Sequence, residues 1–159
     1  MAEGKANRYQ KLIKEIKALI EDVDNWVGIE ANVSAAIKSA FPAFFWVGFY
    51  NVKDGDLLLG PFQGEIACYF IKKGRGVCGT ALQEDRTILV PDVEQFPGHI
   101  ACSSLSRSEI VVPVHGTGGE VIAVLDIDST ALNAFDAEDQ THLERICDIV
   151  GKALGTTYT

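Results

Sequence analysis

Residues 44–52 read FFWVGFYNV, and this aromatic and β-branched run is typical of a β-strand. Alternation along a strand places Phe44, Trp46 and Tyr50 on one face. The opposite face then begins with Phe45. Two aromatic rings, those of Trp46 and Tyr50, are therefore expected to share a face. Such a pair is equally typical of a hydrophobic core and of a pocket wall.

The remaining elements extend outward from this strand. Asp54-Gly55 predicts a hairpin turn, and Gly116-Thr117-Gly118-Gly119 predicts a second one. Further strands are predicted at 57–62, 68–71, 88–90, 108–115 and 120–128. Helical periodicity predicts two N-terminal helices within about 5–41, a short helix at 80–84 and a C-terminal helix at about 136–154.

The order of these elements predicts an α+β fold, with an antiparallel sheet and helices packed on it. We expect one domain over residues 1–159, with the sheet and the active-site loops at 44–129. The first helix is expected either to cover the sheet or to pair with another subunit. A homodimer is therefore possible. Residues 91–107 have no periodicity, and we predict a mobile functional loop there.

Composition narrows the function classes. A formal net charge of −8 argues against binding to nucleic acid or to an anionic membrane, because both require an excess of Lys and Arg. The N-terminus is charged and has no apolar signal segment, so a cytoplasmic location is expected. Cysteines in a reducing compartment are seldom structural disulfides, so the four cysteines are assessed individually.

Three of the cysteines have small neighbours that leave the sulfur accessible. These are Cys68, Cys78 and Cys102. Cys102 is followed by serines, whose hydroxyls can stabilise a thiolate, and His99 or Arg107 could assist. Cys147 falls on the apolar stripe of the last helix and is expected to be buried.

A zinc site is the rival interpretation of the same residues. The candidate ligands are Cys68, Cys78, Cys102, His99 and His115. No pair has the C-x2-4-C spacing of common structural zinc sites, so we expect no metal and no cofactor.

Three carboxylates form the second candidate group. Asp126 and Asp128 are two residues apart on a predicted strand, so their side chains face the same way. Glu109 begins the adjoining strand. Side by side, such charges are costly unless a cation such as a substrate ammonium neutralises them. A solvent-facing strand end is the alternative. If Glu109 points inward, burial raises its pKa and makes it a proton donor.

These residues together resemble the GAF-domain family of free methionine-(R)-sulfoxide reductases. The matching motifs are WVGFY (46–50), LGPFQGEIAC (59–68), GRGVCG (74–79), VPDVEQFPGHIACSSLSRSEIVVPV (90–114) and VLDIDS (124–129). The resemblance extends over nearly the whole chain from Tyr9 onward. It implies a GAF-like fold and an oxidoreductase that acts on free methionine-(R)-sulfoxide.

The resemblance also implies roles for individual residues. Cys102 would be the nucleophile, Cys68 the thiol that forms a disulfide with it, and Cys78 an auxiliary thiol. Substrate binding and proton transfer would fall to three carboxylates, Glu109, Asp126 and Asp128. Trp46 and Tyr50 would shape the pocket. Thioredoxin would restore the thiols.

A module without turnover is the alternative function. In that case the chain is a GAF-type ligand-binding or redox-sensing unit in which cysteine oxidation is the signal. Such modules normally accompany an output domain, and the sequence suggests none, so the enzyme is the favoured interpretation.

Overall fold

A computed structural model describes residues 4–99 and 105–155 of the chain. Its helices are α1 (Lys5–Ile20), α2 (Trp26–Ala40), α3 (Gly76–Glu84) and α4 (Ala137–Leu154). Its strands are β1 (Phe44–Lys53), β2 (Asp56–Gln63), β3 (Phe70–Ile71), β4 (Ile88–Val90), β5 (Ser108–His115) and β6 (Val121–Ser129), with a 3-10 turn at Val93–Gln95. None of the helices in these ranges is long and apolar enough to cross a membrane.

The strands form one sheet in the order β3-β2-β1-β6-β5-β4, and every neighbouring pair is antiparallel. This confirms the predicted α+β class with an antiparallel sheet. The two long strands β1 and β6 lie side by side at its centre.

One face of the sheet is covered by α1, α2 and α4. Helix α2 contacts β1 and β2, α4 contacts β5, and α1 lies against both helices. Helix α1 buries Tyr9, Leu12, Ile16 and Ile20 in this layer. It therefore covers the core of its own chain, which is one of its two expected roles. The homodimer stays a prediction.

The opposite face carries a second apolar cluster and helix α3. This cluster includes Trp46 and Tyr50 from β1, Cys78 from α3 and Val111 from β5. It is smaller than the cluster under the helical layer, and loops rather than long helices complete it. This open side of the sheet is where the candidate site lies.

A β-bulge changes one predicted side-chain direction. The pairing of β1 with β6 shifts register between Phe44 and Trp46. Phe44 consequently packs in the helical layer, and Phe45 packs with Trp46 on the open face. The prediction that Phe44 shares a face with Trp46 was therefore wrong, because strict alternation fails where a bulge adds a residue.

Two predicted boundaries near the cysteines were also wrong. Helix α3 begins at Gly76 rather than Thr80, so Cys78 lies in its first turn and not in a glycine-rich loop. Strand β3 contains only Phe70 and Ile71, so Cys68 lies in the segment before the strand. A positive φ at Gly74 and Gly76 lets the chain turn directly into the helix.

The first turn of α4 anchors α1. Asp136 caps the helix by accepting from the N–H groups of Glu138 and Asp139, and Asp139 accepts in return from the Asp136 N–H at 2.9 Å. Asp139 is only 1% exposed. Its carboxylate also accepts from the Tyr9 hydroxyl at 2.6 Å and from Lys5 Nζ at 2.8 Å. One buried carboxylate thus joins the two helices.

We predict that Asp139→Ala lowers the free energy of unfolding by about 2–4 kcal/mol, since it removes a cap and leaves the buried Tyr9 hydroxyl without its acceptor. Urea unfolding followed by circular dichroism measures the change. The matched control is Glu138→Ala, an exposed neighbour in the same turn, for which the expected change is within about 0.5 kcal/mol. Equal losses in the two variants would contradict the anchoring role.

Candidate active site

A pocket opens on the face of the sheet opposite α1, α2 and α4. Strands β1, β5 and β6 form its floor, and α3 and two loops form its walls. Its lining residues are Phe45, Trp46, Tyr50, Ile66, Ala67, Ile71, Arg75, Gly76, Cys78, His99, Ser106, Glu109, Asp126 and Asp128. The structure thus brings together seven residues singled out from the sequence: Trp46, Tyr50, Cys78, His99, Glu109, Asp126 and Asp128.

Strand register places the three carboxyl groups side by side. Glu109 of β5 is directly opposite Asp128 of β6, and Asp126 lies two residues further along the same face. Glu109 and Asp126 are each 6% exposed. Glu109 therefore points inward, and the alternative of a solvent-facing strand end does not hold.

Burial and mutual repulsion keep protons in this cluster. Burial raises the pKa of Glu109 well above its usual range, and the charges of Asp126 and Asp128 raise it further. Burial also raises the pKa values of Asp126 and Asp128. Burial and the charges of both neighbouring aspartates thus favour the protonated form of Glu109.

The three carboxyl groups differ in the partners that they have outside the cluster. Ser106 Oγ donates to Asp128 Oδ1 at 2.9 Å, and His99 Nε2 lies 3.9 Å from Glu109 Oε1. Burial lowers the pKa of His99, which favours the neutral imidazole. Within residues 4–99 and 105–155, the buried Asp126 Oδ1 atom has no hydrogen-bond partner. Such an atom is rare in a folded protein and is suited to a donor on a ligand.

Trp46 and Tyr50 line the pocket and also hold its rim. Their rings stack with centroids 6.1 Å apart. Trp46 Nε1 donates to the Glu65 carbonyl at 3.0 Å, and the Tyr50 hydroxyl donates to the Cys68 carbonyl at 3.0 Å. Both rings therefore fix the backbone on either side of Ile66 and Ala67. A core-only role for the two aromatics is excluded by these contacts.

The chain approaches Trp46 closely at one glycine. Gly64 has φ of +142°, and a Cβ atom there would lie 2.5 Å from Trp46 Cδ1. A side chain at this position would displace the ring or the rim segment. The glycine therefore allows the segment that leads to Cys68 to cross directly over the indole.

The cysteines occupy different environments. Cys78 is a free thiol, 3% exposed, and burial together with Asp126 and Glu109 raises its pKa well above the usual range. Cys147 is a free thiol buried in the helical layer, as predicted. Cys68 is partly exposed at the pocket rim and is disulfide-bonded. Cys102 lies outside the described residues.

The loop that contains Cys102 is closed at its ends. The Val93 N–H donates to the Arg107 carbonyl at 2.9 Å, and the Arg107 N–H donates to the Ser129 carbonyl at 2.8 Å. Both ends of the segment are thereby tied to the end of β6. Residues 100–104 of this loop lie outside the described residues, and its mobility stays a prediction.

The ligand set weighed for zinc is not brought together as a whole. His115 lies away from the pocket, with Nε2 2.6 Å from Asp85 Oδ1, and lines a second cavity between α4 and the turn after α3. Cys78 and His99 do line the same pocket. These two residues are far apart in the sequence, so rules based on the spacing of metal ligands along the chain do not detect that they share a pocket.

Sequence reasoning missed several lining residues. Phe45 was placed on the wrong face because of the bulge. Arg75, at the N-cap of α3, was hidden because the helix was predicted to start later. The serines after Cys102 were expected to stabilise its thiolate, but the Ser106 hydroxyl donates to Asp128. The G-R-G run before Val77 was the signal that could have revealed Arg75 as a pocket residue.

The chain is similar in sequence to known proteins over most of its length. The family model of the GAF domain matches residues 31–155. GAF domain-containing protein A of Dictyostelium discoideum is 52% identical, over 92% of this chain and 92% of that protein. The free methionine-R-sulfoxide reductase of Escherichia coli (strain K12) is 41% identical, over 97% of this chain and 93% of its own.

Comparison with a solved structure supports the same family assignment. The X-ray structure of free methionine-R-sulfoxide reductase from Neisseria meningitidis in complex with its substrate is 44% identical. Its TM-score is 0.94, with 99% of this chain and 95% of that chain covered. The chain therefore belongs to the GAF-domain family of free methionine-R-sulfoxide reductases, a family of oxidoreductases.

Proposed function

We propose that this protein reduces free methionine-(R)-sulfoxide to methionine. The observation that carries the proposal is the buried carboxylate cluster, which lies next to Trp46 and beneath the segment that bears Cys68. One Asp126 oxygen of this cluster has no hydrogen-bond partner in the described part of the chain. The substrate named for the relatives in Escherichia coli and Neisseria meningitidis supports it.

The pocket suits a free amino acid. Asp126 and Asp128 would receive the α-ammonium group, which a residue inside a peptide lacks. Arg75 lines the other side of the pocket at the N-terminus of α3, where the helix dipole also favours an anion. It would receive the α-carboxylate. The apolar side chain would lie against Trp46 and Tyr50.

The chemistry begins with protonation of the sulfoxide oxygen. Glu109, with its raised pKa, is the proposed general acid. The Cys102 thiolate attacks the sulfur, methionine leaves, and Cys102 becomes a sulfenic acid. The sulfur of the substrate gains two electrons and Cys102 loses two.

A disulfide then forms with release of water. Cys68 is the proposed resolving thiol, and its disulfide-bonded state at the pocket rim supports this. Cys78 and Cys147 are free thiols, so neither is the partner of Cys68. In our proposal that partner is Cys102. Cys78 keeps an auxiliary role, since burial makes its thiolate scarce.

An external dithiol completes the cycle by thiol–disulfide exchange. Thioredoxin is the proposed reductant, because it carries the vicinal dithiol that this exchange requires. Thioredoxin recycling, like the cytoplasmic location, stays a prediction.

For the cysteines, we predict that Cys102→Ser abolishes even a single turnover, whereas Cys68→Ser retains the first turnover and loses recycling by thioredoxin. The assay incubates purified protein with free methionine-(R)-sulfoxide and either dithiothreitol or thioredoxin, and measures methionine by chromatography. Cys147→Ser is the matched control, because that thiol is buried in the helical layer. Absence of methionine with the unmodified protein would contradict the proposed function. Full activity in Cys102→Ser would rule out Cys102 as the nucleophile.

Recognition of the ammonium group is tested by pairing a variant with a modified substrate. We predict that Asp126→Asn lowers kcat/KM for the free amino acid by about tenfold to a hundredfold, the worth of a hydrogen bond to a charged group. N-acetylation of the substrate should cause a similar loss in the unmodified protein. Because both changes remove the same contact, the loss in kcat/KM when they are combined should be much smaller than the product of the two separate losses. Multiplicative losses would place the ammonium elsewhere.

The raised pKa of Glu109 predicts a pH-dependent stability. Above about pH 4.5 an unfolded chain loses this proton while the folded chain keeps it, so the folded state is progressively disfavoured until the pH passes the folded pKa. Glu109→Gln should therefore raise the thermal midpoint at pH 8 more than at pH 4. The expected difference in the free energy of unfolding is about 1.4 kcal/mol for each unit by which folding raises the pKa. Each kcal/mol corresponds to roughly 2–4 °C in the thermal midpoint. The exposed Glu94→Gln should show no such difference, and an equal response of both variants would remove Glu109 as the proton holder.

A further inference from the structure

Three pocket residues place potential metal ligands within reach of one another. Cys78 Sγ and one carboxylate oxygen each from Glu109 and Asp126 all lie within 4.8 Å of one another, and all three residues are buried. They come from the first turn of α3, from β5 and from β6. The arrangement is therefore held by regular secondary structure and not by a loop.

The spacing suits a small divalent ion. Tetrahedral Zn²⁺, with bonds of roughly 2.0–2.3 Å, holds its ligand atoms roughly 3.3–3.8 Å apart. The three ligand atoms, all within 4.8 Å of one another, are therefore close to that spacing. His99 lies beside this group, with Nε2 3.9 Å from Glu109 Oε1.

A second observation also indicates a ligand at this place. Among the described residues, the Asp126 Oδ1 atom is buried and has no hydrogen-bond partner. A buried acceptor without a partner is costly, and a bound cation would offset that cost. The cost falls on the same carboxylate that belongs to the three-residue group.

We propose that Cys78, Glu109 and Asp126 form a binding site for a borderline-soft divalent cation of the Zn²⁺ class, with the remaining coordination position open. The mixed set of thiolate and carboxylates selects this class, because Mg²⁺ and Ca²⁺ prefer oxygen ligands alone. Binding converts the Cys78 thiol into a coordinated thiolate and releases its proton.

The cation and the substrate would compete for the same carboxylates. This part of the inference rests on the proposed function, in which Asp126 receives the α-ammonium group. A bound cation occupies a carboxylate oxygen of Asp126 and adds positive charge beside the amino group. The cation is therefore an inhibitor competitive with the amino acid, and its thiolate ligand is Cys78, which has only an auxiliary role in the proposed cycle.

Cobalt(II) titration of the reduced, metal-free protein tests the site without measuring activity. A phosphine keeps the thiols reduced, because dithiols chelate the metal. We expect a near-ultraviolet thiolate-to-cobalt charge-transfer band that saturates at one ion per chain and is abolished by Zn²⁺. Cys78→Ser should remove the band, and Asp126→Asn should weaken binding at least tenfold. Thermal unfolding checks that both variants are folded.

The matched control is the double variant Cys68→Ser/Cys102→Ser, which removes the loop thiols but keeps Cys78. It should retain the full band. Loss of the band in this double variant, or its persistence in Cys78→Ser, would overturn the proposal, because the thiolate ligand would then lie elsewhere. No band in the unmodified protein would overturn it as well.

Competition is tested by adding methionine to the cobalt-loaded protein, with N-acetylmethionine as the control. Free methionine should reduce the charge-transfer band and raise the apparent dissociation constant, and the acetylated compound should not. A band unaffected by saturating methionine would overturn the shared site. Failure of the proposed function is distinguishable, since it appears as absence of methionine in the sulfoxide assay and leaves the cobalt band unchanged.

Discussion

Three carboxyl groups buried on one face of a sheet are the constraint on which this molecule depends. Placing Glu109, Asp126 and Asp128 together without a counter-charge is unfavourable, and burial raises the pKa of each, which favours protonated carboxyl groups in the cluster. Trp46, Tyr50 and Cys78 line the pocket beside this cluster. The helical layer supplies the stability on the opposite face, where Asp139 joins α1 to α4.

The aromatic residues of β1 link this constraint to the cysteines. Trp46 and Tyr50 pack beside the acidic floor, and their polar atoms hold the backbone at Glu65 and Cys68. The position of the Cys68 segment is therefore set by the same two side chains that shape the ligand pocket. Two hydrogen bonds to main-chain carbonyls therefore connect the pocket wall to the segment that carries Cys68.

Much of this arrangement is predictable from the sequence, and the failures have physical causes. The period of two along a strand places Asp126 and Asp128 on one face, and antiparallel pairing brings Glu109 opposite Asp128. The bulge that turns Phe44 away is set by hydrogen bonding between β1 and β6, which no local pattern records. The early start of α3 was concealed by glycines, whose low helix propensity is overridden by packing of Val77 and Cys78 against the sheet. The approach of His99 to Glu109 is tertiary and joins residues on different elements.

The two backbone hydrogen bonds at Arg107 have a mechanical consequence. Its carbonyl accepts from Val93 and its N–H donates to Ser129, so the segment between Val93 and Arg107 begins and ends at one fixed point of the sheet. Rearrangement between these anchors would leave the strands and the helical layer in place. If Cys102 is oxidised and reduced as proposed, these anchors would confine the change to the loop. An enzyme benefits from such insulation, whereas a signalling module must convey the change to its surroundings.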